Sequence, residues 1–318
     1  MTIGDVPLWF LRAFAVAFGL IWGSFLNVVI YRVPREMSVV RPASHCPGCG
    51  KPVEPYDNIP VLSYLILRGK TRCCRAPLSP RYPLVEVLGG ALSLAVVEVV
   101  VRAMPYETSF ERAGAVYLAD LFLTLGLLAA AFIDAEHMFL PDTITIGGAV
   151  LGVATATLRG RTFSESLLGA AIGFGGIWFP FVFGWKHLRG RAGMGMGDAK
   201  LTMLAGAWFG WIGVLFVLMG GAVQGTLYAG AVYVVRGKIE EPAAVKADRE
   251  ELERLAAEGD DEAKQLLLDD PLGTPQGEGF GQARLPFGPF LILAVLEYLF
   301  AGPQILEKYR EWFLGGGG

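Results

Sequence analysis

Charge is scarce in this chain. Asp, Glu, Lys and Arg make up 18% of the 318 residues against 53% hydrophobic, with a mean hydropathy of +0.47. That balance excludes one or two ordinary soluble domains and indicates a polytopic membrane protein. Histidine is scarcer still, with three in all, and cysteine does not occur outside residues 46–74. The chain therefore carries no disulfide framework spread along its length. The N-terminus lacks the basic n-region and small-residue cleavage site of a signal peptide, so the first apolar run is expected to stay in the mature protein. No internal repeat is visible. The net charge of −3 says little about partners, and no nucleic acid is expected among them.

What the chain does have is long apolar runs. They lie near residues 8–30, 84–103, 115–134, 143–159, 164–184, 198–211, 213–235 and 286–303, which the length rule reads as about eight transmembrane helices of an all-α protein. Lys and Arg in the connections set the orientation. The first loop holds Arg32, Arg35, Arg41, Lys51, Arg68, Lys70, Arg72, Arg75 and Arg81, whereas the next holds only Arg102 and Arg112. The first loop is thus expected on the cytoplasmic side, with the loops at 185–197 and 236–285, and both termini outside. The terminal Gly315–Gly318 run is set aside.

All four cysteines fall in that first loop, as Cys46-Pro47-Gly48-Cys49 and Cys73-Cys74. In a reducing compartment, C-x-x-C facing further cysteines resembles a zinc ribbon, so Cys46, Cys49, Cys73 and Cys74 are candidate ligands of structural zinc. The second half is irregular, because Thr71-Arg72-Cys73-Cys74 stands where a regular site has C-x-x-C. Free thiols are the other reading. Turn signals at Tyr56–Pro60 and Pro80–Pro83 mark a small folded unit on the membrane surface. Its basic residues suit orientation, anionic lipid headgroups or an anionic cofactor.

Ionisable groups at membrane depth are functional candidates. The run Leu121–Ile133 ends in Asp134, at the cytoplasmic end of a helix. Asp142 follows a proline and reads as an N-cap. Asp198 also precedes an apolar helix, but behind Gly193-Met194-Gly195-Met196-Gly197. An ordinary cap needs no such approach, whereas glycines admit a substrate backbone and positive φ. Two carboxylates at one membrane face, brought together, share one proton and can act as base and acid on a peptide bond. Lys200 reads either as a contact for an acidic substrate group or as a snorkelling side chain. Glu86 and Glu297, near helix ends, read as structural.

The blocks Gly23–Pro34, Cys46–Cys49, Asp57–Pro60, Leu67–Lys70, Arg81–Glu86, Ile133–Asp142, Gly195–Lys200 and Leu285–Phe290, in this order, resemble the bacterial type IV prepilin peptidases, a family of GxGD-type aspartic proteases. The resemblance implies that Asp134 and Asp198 are catalytic, supported by Gly195, Gly197 and Lys200. They would remove the leader of a type IV prepilin or type II secretion pseudopilin at the cytoplasmic face of the bacterial inner membrane. It further implies N-methylation of the new N-terminus with S-adenosylmethionine, linked to Gly69 and Lys70 in the cysteine loop. Membrane lipid and the pilus or secretion machinery are expected neighbours.

The expected organisation is a first transmembrane helix (1–33), a cytoplasmic cysteine domain (34–83), a membrane peptidase core (84–235), a charged cytoplasmic insert (236–285) and a last helix with its tail (286–318). The insert is longer than the family's usual connection, and 248–258 has helical spacing with a solvated face. Two other functions stay open at this point. An ion-coupled transporter also carries intramembrane acids. A serine intramembrane protease would use Ser24, with His45, His137 or His187 as base.

Overall fold

The computed structural model describes residues 1–189, 193–269, 272 and 284–314. Arg191, a cation of the 185–197 loop, the insert positions 270–271 and 273–283, and Gly315–Gly318 lie outside them. The chain divides into two compact units, Met1–Ala129 and Ala130–Gly318.

The first unit is built on α1 (Leu8–Arg32), with a short α2 (Leu62–Ile66) in the cysteine loop and α3 (Arg81–Ala95), which runs on through a π-helical turn, Val96–Val100. Helix α1 and helix α3 touch through glycines. A Cβ on Gly19 would lie 2.5 Å from the Gly89 carbonyl, and one on Gly23 would lie 2.8 Å from Glu86 Cα. Small residues spaced by four let two apolar helices approach to backbone contact, the packing available where lipid removes the hydrophobic drive. Ser93 Oγ seals the crossing by donating to the Ala15 carbonyl at 2.6 Å. Asn27, one turn beyond Gly23, is thereby set against the start of α3. Helix α4 (Phe110–His137) begins in this unit and ends in the second.

The second unit holds the end of α4, then α5 (Asp142–Ala154), α6 (Phe163–Ile177), a short α7 (Trp185–Arg189) and α8 (Met196–Arg236). It continues with α9 (Ala243–Ala257), α10 (Asp261–Asp269) and α11 (Gly288–Leu314). Helix α8 is broken at Gly210, whose φ of 74° and ψ of −172° suit glycine almost alone. The chain doubles back there. On a straight helix Gly197 and Gly225 would stand about 42 Å apart. Yet Gly225 packs on Phe287, and its neighbour Gly288 shares Leu140 with Gly197. At the other end Tyr298 meets both Phe209 and Phe216, at 4.8 and 5.2 Å. The 198–211 and 213–235 runs are therefore two antiparallel arms of one helical hairpin.

The first arm is the buried centre of the unit. Gly206 meets Gly169 of α6 backbone to backbone, and Thr202 Oγ1 donates to the Gly173 carbonyl at 2.8 Å. Trp208 Nε1 donates to the Gly148 carbonyl of α5 at 2.9 Å. Arg159 donates to the Trp208 carbonyl and lies over its ring at 4.0 Å. These contacts fix the rotation of the arm and hence the direction of Asp198.

By length and composition, five helices can cross a membrane: Leu8–Arg35, Arg81–Ala103, Phe110–His137, Phe163–Leu188 and Met196–Arg236. Asp142–Ala154 and Gly288–Gly302 are apolar but shorter. The protein is an all-α, multi-pass membrane protein. In the insert, α9 and α10 turn Val245 and Ala263 inward. Their root is tied by buried Glu241, which meets Arg249 at 2.8 Å and Arg284 at 3.2 Å.

Candidate active site

Asp134 lies in the last turn of α4, where Met138 adopts a left-handed conformation (φ 55°) and returns its amide to the Asp134 carbonyl at 2.8 Å. The helix stops there, and Phe139-Leu140-Pro141 leads into α5. The Asp134 side chain is 5% exposed, and its Oδ2 accepts the Gly288 amide at 3.0 Å. A buried carboxylate needs such a partner, and the first residue of α11 has an amide with no intrahelical acceptor to offer it.

Asp198 is the third residue of α8, behind Gly195 as its N-cap. It is half-buried, and a Cβ on Gly195 would sit 3.3 Å from its Oδ2. The two carboxylates are close enough to interact electrostatically. Leu140 lies between their surroundings: a Cβ on Gly197 would come 3.2 Å from Leu140 Cβ, and one on Gly288 3.1 Å from Leu140 Cδ2. The glycines thus serve close approach. Positive φ, expected for the GMGMG segment, is absent from Gly193, Gly195 and Gly197.

Two neighbouring charges depart from expectation. Asp142 is not the cap of α5, a place taken by Pro141 with no side-chain hydrogen bond. Instead it receives Lys200 Nζ at 2.6 Å. Lys200 is therefore held by an acid of its own chain, between the starts of α5 and α8. Glu297 accepts Gln224 Nε2 at 2.7 Å and bridges the second arm of α8 to α11. Among the described residues Ser24 has no histidine partner: His45 and His187 turn to the carbonyls of Ala43 and Phe183, and His137 faces Phe139.

The cysteine loop is two similar turns. In the first, the Cys46 amide donates to the Lys51 carbonyl at 2.8 Å and Gly50 donates back to Cys46 at 2.9 Å. In the second, Thr71 donates to Ala76 at 2.9 Å and Arg75 donates back to Thr71 at 3.1 Å. Gly50 and Arg75 both have positive φ, 71° and 60°, and bridges His45 to Pro52 and Lys70 to Pro77 close the turns. Thr71 thus stands where the first turn has Cys46, Cys74 where it has Cys49, and Cys73 where it has Gly48.

All four sulfurs nevertheless lie within 4.8 Å of one another. Four thiolates at about 2.3 Å from zinc are about 3.8 Å apart, so the set fits a tetrahedral ion, with Cys73 supplying the sulfur that Thr71 cannot. Burial opposes ionisation of Cys46. Hydrogen bonds from the Thr71 hydroxyl, the Gly48 and Cys49 amides and the Cys73 thiol outweigh it and lower the thiol to about 6. Cys73, bonded first to Cys49 and then to Cys46, is pushed up to about 12.

Gly69 and Lys70 sit at the entrance of the second turn. Gly69 has φ 69°, and a Cβ there would lie 3.0 Å from the Tyr64 hydroxyl.

The sequence profile of the Bacterial Peptidase A24 N-terminal domain matches residues 17–100, and that of the Type IV leader peptidase family matches residues 121–230. A prepilin leader peptidase/N-methyltransferase of Myxococcus xanthus is 36% identical, over 99% of both chains. The chain belongs to the type IV leader peptidase family. A family member from Pseudomonas aeruginosa with the same name is 35% identical, over 93% of this chain and 92% of that one. One from Neisseria gonorrhoeae is 34% identical over 70% and 83%. No solved structure matches. These relatives give no support to an ion-coupled transporter.

Sequence reasoning missed Gly288, whose contribution is a main-chain N–H. The only signal for it was its place in the Leu285–Phe290 block.

Proposed function

We propose that this protein cuts the leader from type IV prepilins or type II secretion pseudopilins with Asp134 and Asp198, and then N-methylates the exposed residue. The observation that carries this reading is the convergence of the two carboxylates around Leu140, with one of them fixed by the Gly288 amide, in a chain whose relatives bear both activities in their names. A pair sharing one proton divides the work. The ionised carboxylate takes a proton from water, whose oxygen attacks the scissile carbonyl carbon. The protonated one hands its proton to that carbonyl oxygen. Collapse of the tetrahedral adduct breaks the C–N bond, and the leaving amine gains a proton. Gly195 and Gly197 leave room for an extended peptide beside Asp198, and Lys200 with Asp142 borders its path.

The methyl donor is S-adenosylmethionine, and Gly69 and Lys70 belong to the loop that serves this second step. Zinc held by Cys46, Cys49, Cys73 and Cys74 would cross-link the two turns, a structural contribution only. The site faces the cytoplasm across the surface of the bacterial inner membrane, where lipid and the pilus or secretion machinery surround it. The α9–α10 insert stands on that same side.

Mass spectrometry of a prepilin N-terminus, after incubation with the purified protein and the donor, tests the whole reading. A shortened and methylated product is expected, and Asp134→Asn and Asp198→Asn should each abolish shortening. Cleavage that persists in either variant would remove that carboxylate from the chemistry.

A further inference from the structure

The first unit contains a cavity of about 710 Å³ between the loop-side ends of α1 and α3 and the two cysteine turns. Ligand pockets commonly measure roughly 300–1,000 Å³, and none of the cleavage residues belongs to this one. Asn27 and Glu86 are among the buried polar side chains of the membrane helices that line it. Asn27, 3% exposed, gives its Nδ2 to the Tyr82 carbonyl at 3.1 Å, and its Oδ1 has no partner among the described residues. Glu86, 8% exposed, accepts the Val61 amide on Oε2 at 2.6 Å. To present that amide Val61 takes φ 62°, a costly conformation for a β-branched residue. An unpaired buried acceptor calls for a donor from outside the protein.

The other buried or half-buried charges lining the cavity are occupied, and the remaining two, Lys51 and Glu54, are exposed and of opposite sign. Asp57 holds Arg72 at 2.8 Å, and Arg32 donates to the carbonyls of Ser38 and Pro42. What remains open among the buried groups is the Asn27 acceptor and the Glu86 carboxylate, which suit an ammonium or amine. Both side chains stand on helices long enough to cross the membrane, so an amine at the end of an apolar segment can approach along them. Tyr64 and Tyr82 also line the cavity, and aromatic faces suit a sulfonium cation.

Accepting the N-methyltransferase reading above, on which this rests, we propose that the cavity is where the methyl group is transferred, with Asn27 Oδ1 and Glu86 holding the acceptor amine. Glu86 takes one proton from the ammonium. The freed lone pair forms the N–C bond to the methyl carbon of the sulfonium, and the C–S bond breaks with its electron pair left on sulfur, giving a thioether and a secondary ammonium. Nothing is oxidised or reduced beyond that transfer. Gly69 acts as a positioning residue, because any side chain there presses on Tyr64 at the cavity wall.

The test uses the full-length protein, S-adenosylmethionine and an already shortened pilin, with N-terminal mass spectrometry against time. Glu86→Gln keeps an acceptor for the Val61 amide but loses the base. Its methylation should fall about 100-fold at pH 7 and recover as pH rises past the α-amino value of about 8, where solvent deprotonates the amine. Leader removal from an uncut prepilin should stay within twofold of the unmodified protein. Asn27→Leu, assayed in parallel, should raise the KM for the shortened pilin. Undiminished methylation by Glu86→Gln at pH 7, or a loss equal at every pH, would overturn the proposal. If Glu86→Gln does not fold, an unchanged KM in Asn27→Leu overturns it instead. An unmodified protein that cleaves but never methylates would refute the methyl-transfer reading itself.

Discussion

Replacing Gly288 by alanine should silence cleavage without unfolding the protein. Gly288 is the first residue of α11, so alanine there meets no backbone penalty and slightly favours the helix. Its Cβ, however, would fall 2.6 Å from Asp134 Oδ2 and 2.9 Å from Asp134 Cγ. Non-bonded carbon contacts settle near 3.5 Å or more, so the carboxylate must retreat by roughly 0.6–0.9 Å. The Gly288 N–H bond, 3.0 Å long, stretches with it. A hydrogen bond to a charged group contributes about 1.5–3 kcal/mol, or roughly 10- to 150-fold in rate. A misplacement approaching 1 Å independently costs about 100-fold. The expected result is a loss of kcat for leader removal of about two orders of magnitude. The melting temperature in detergent should fall by no more than the equivalent of that one bond, and methylation of a pre-shortened pilin should stay intact. Cleavage within threefold of the unmodified protein would mean that Asp134 does not act from the position that the Gly288 amide gives it.

Further expectations rest on other contacts. Cys73→Ser should release the bound metal, measured as zinc per chain, whereas Thr71→Cys combined with Cys73→Ser should retain it by restoring the spacing of the first turn; zinc held by Cys73→Ser alone would show that Cys73 is no ligand. Gly210→Ala should lower the melting temperature by the equivalent of about 1–3 kcal/mol, the cost of that backbone region outside glycine, and an unchanged value would refute the reversal at this residue. Lys200→Met removes a partly exposed ion pair and should alter stability by no more than about 1 kcal/mol. It should raise the KM for prepilin more than it lowers kcat. A kcat as low as that of Asp134→Asn would place Lys200 in the chemistry.

Much of this was readable from the residues. Apolar length found the long apolar helices, because a membrane leaves the backbone few alternatives to helix, whereas the short α2 and α7 and the polar α10 gave no such signal. The clustering of cysteines in one loop marked the two turns, and the scarcity of charge made Asp134 and Asp198 conspicuous. What stayed hidden depended on partners far away in the chain. The Asp142 side chain looked like a cap because Pro141 precedes it, but the cap was not needed once Lys200 stood opposite. Glu86 looked structural from its place near a helix end, and its bond to Val61 follows from a loop conformation that no local pattern encodes. Gly288 has no side chain with which to announce that its amide meets Asp134.

The hairpin at Gly210 has a consequence for the lipid around it. The arm from Met196 to Phe209, α5, and the apolar part of α11 are each about 20–22 Å long, against a hydrocarbon slab of about 30 Å. Such hydrophobic mismatch is met by thinning the bilayer or by drawing headgroups inward. Here the shortfall of about 8–10 Å falls on the elements that carry or hold Asp198 and Asp134. Water would then need to travel only part of the slab to reach the carboxylates, and a peptide leaving the headgroup layer would meet them before it met oil.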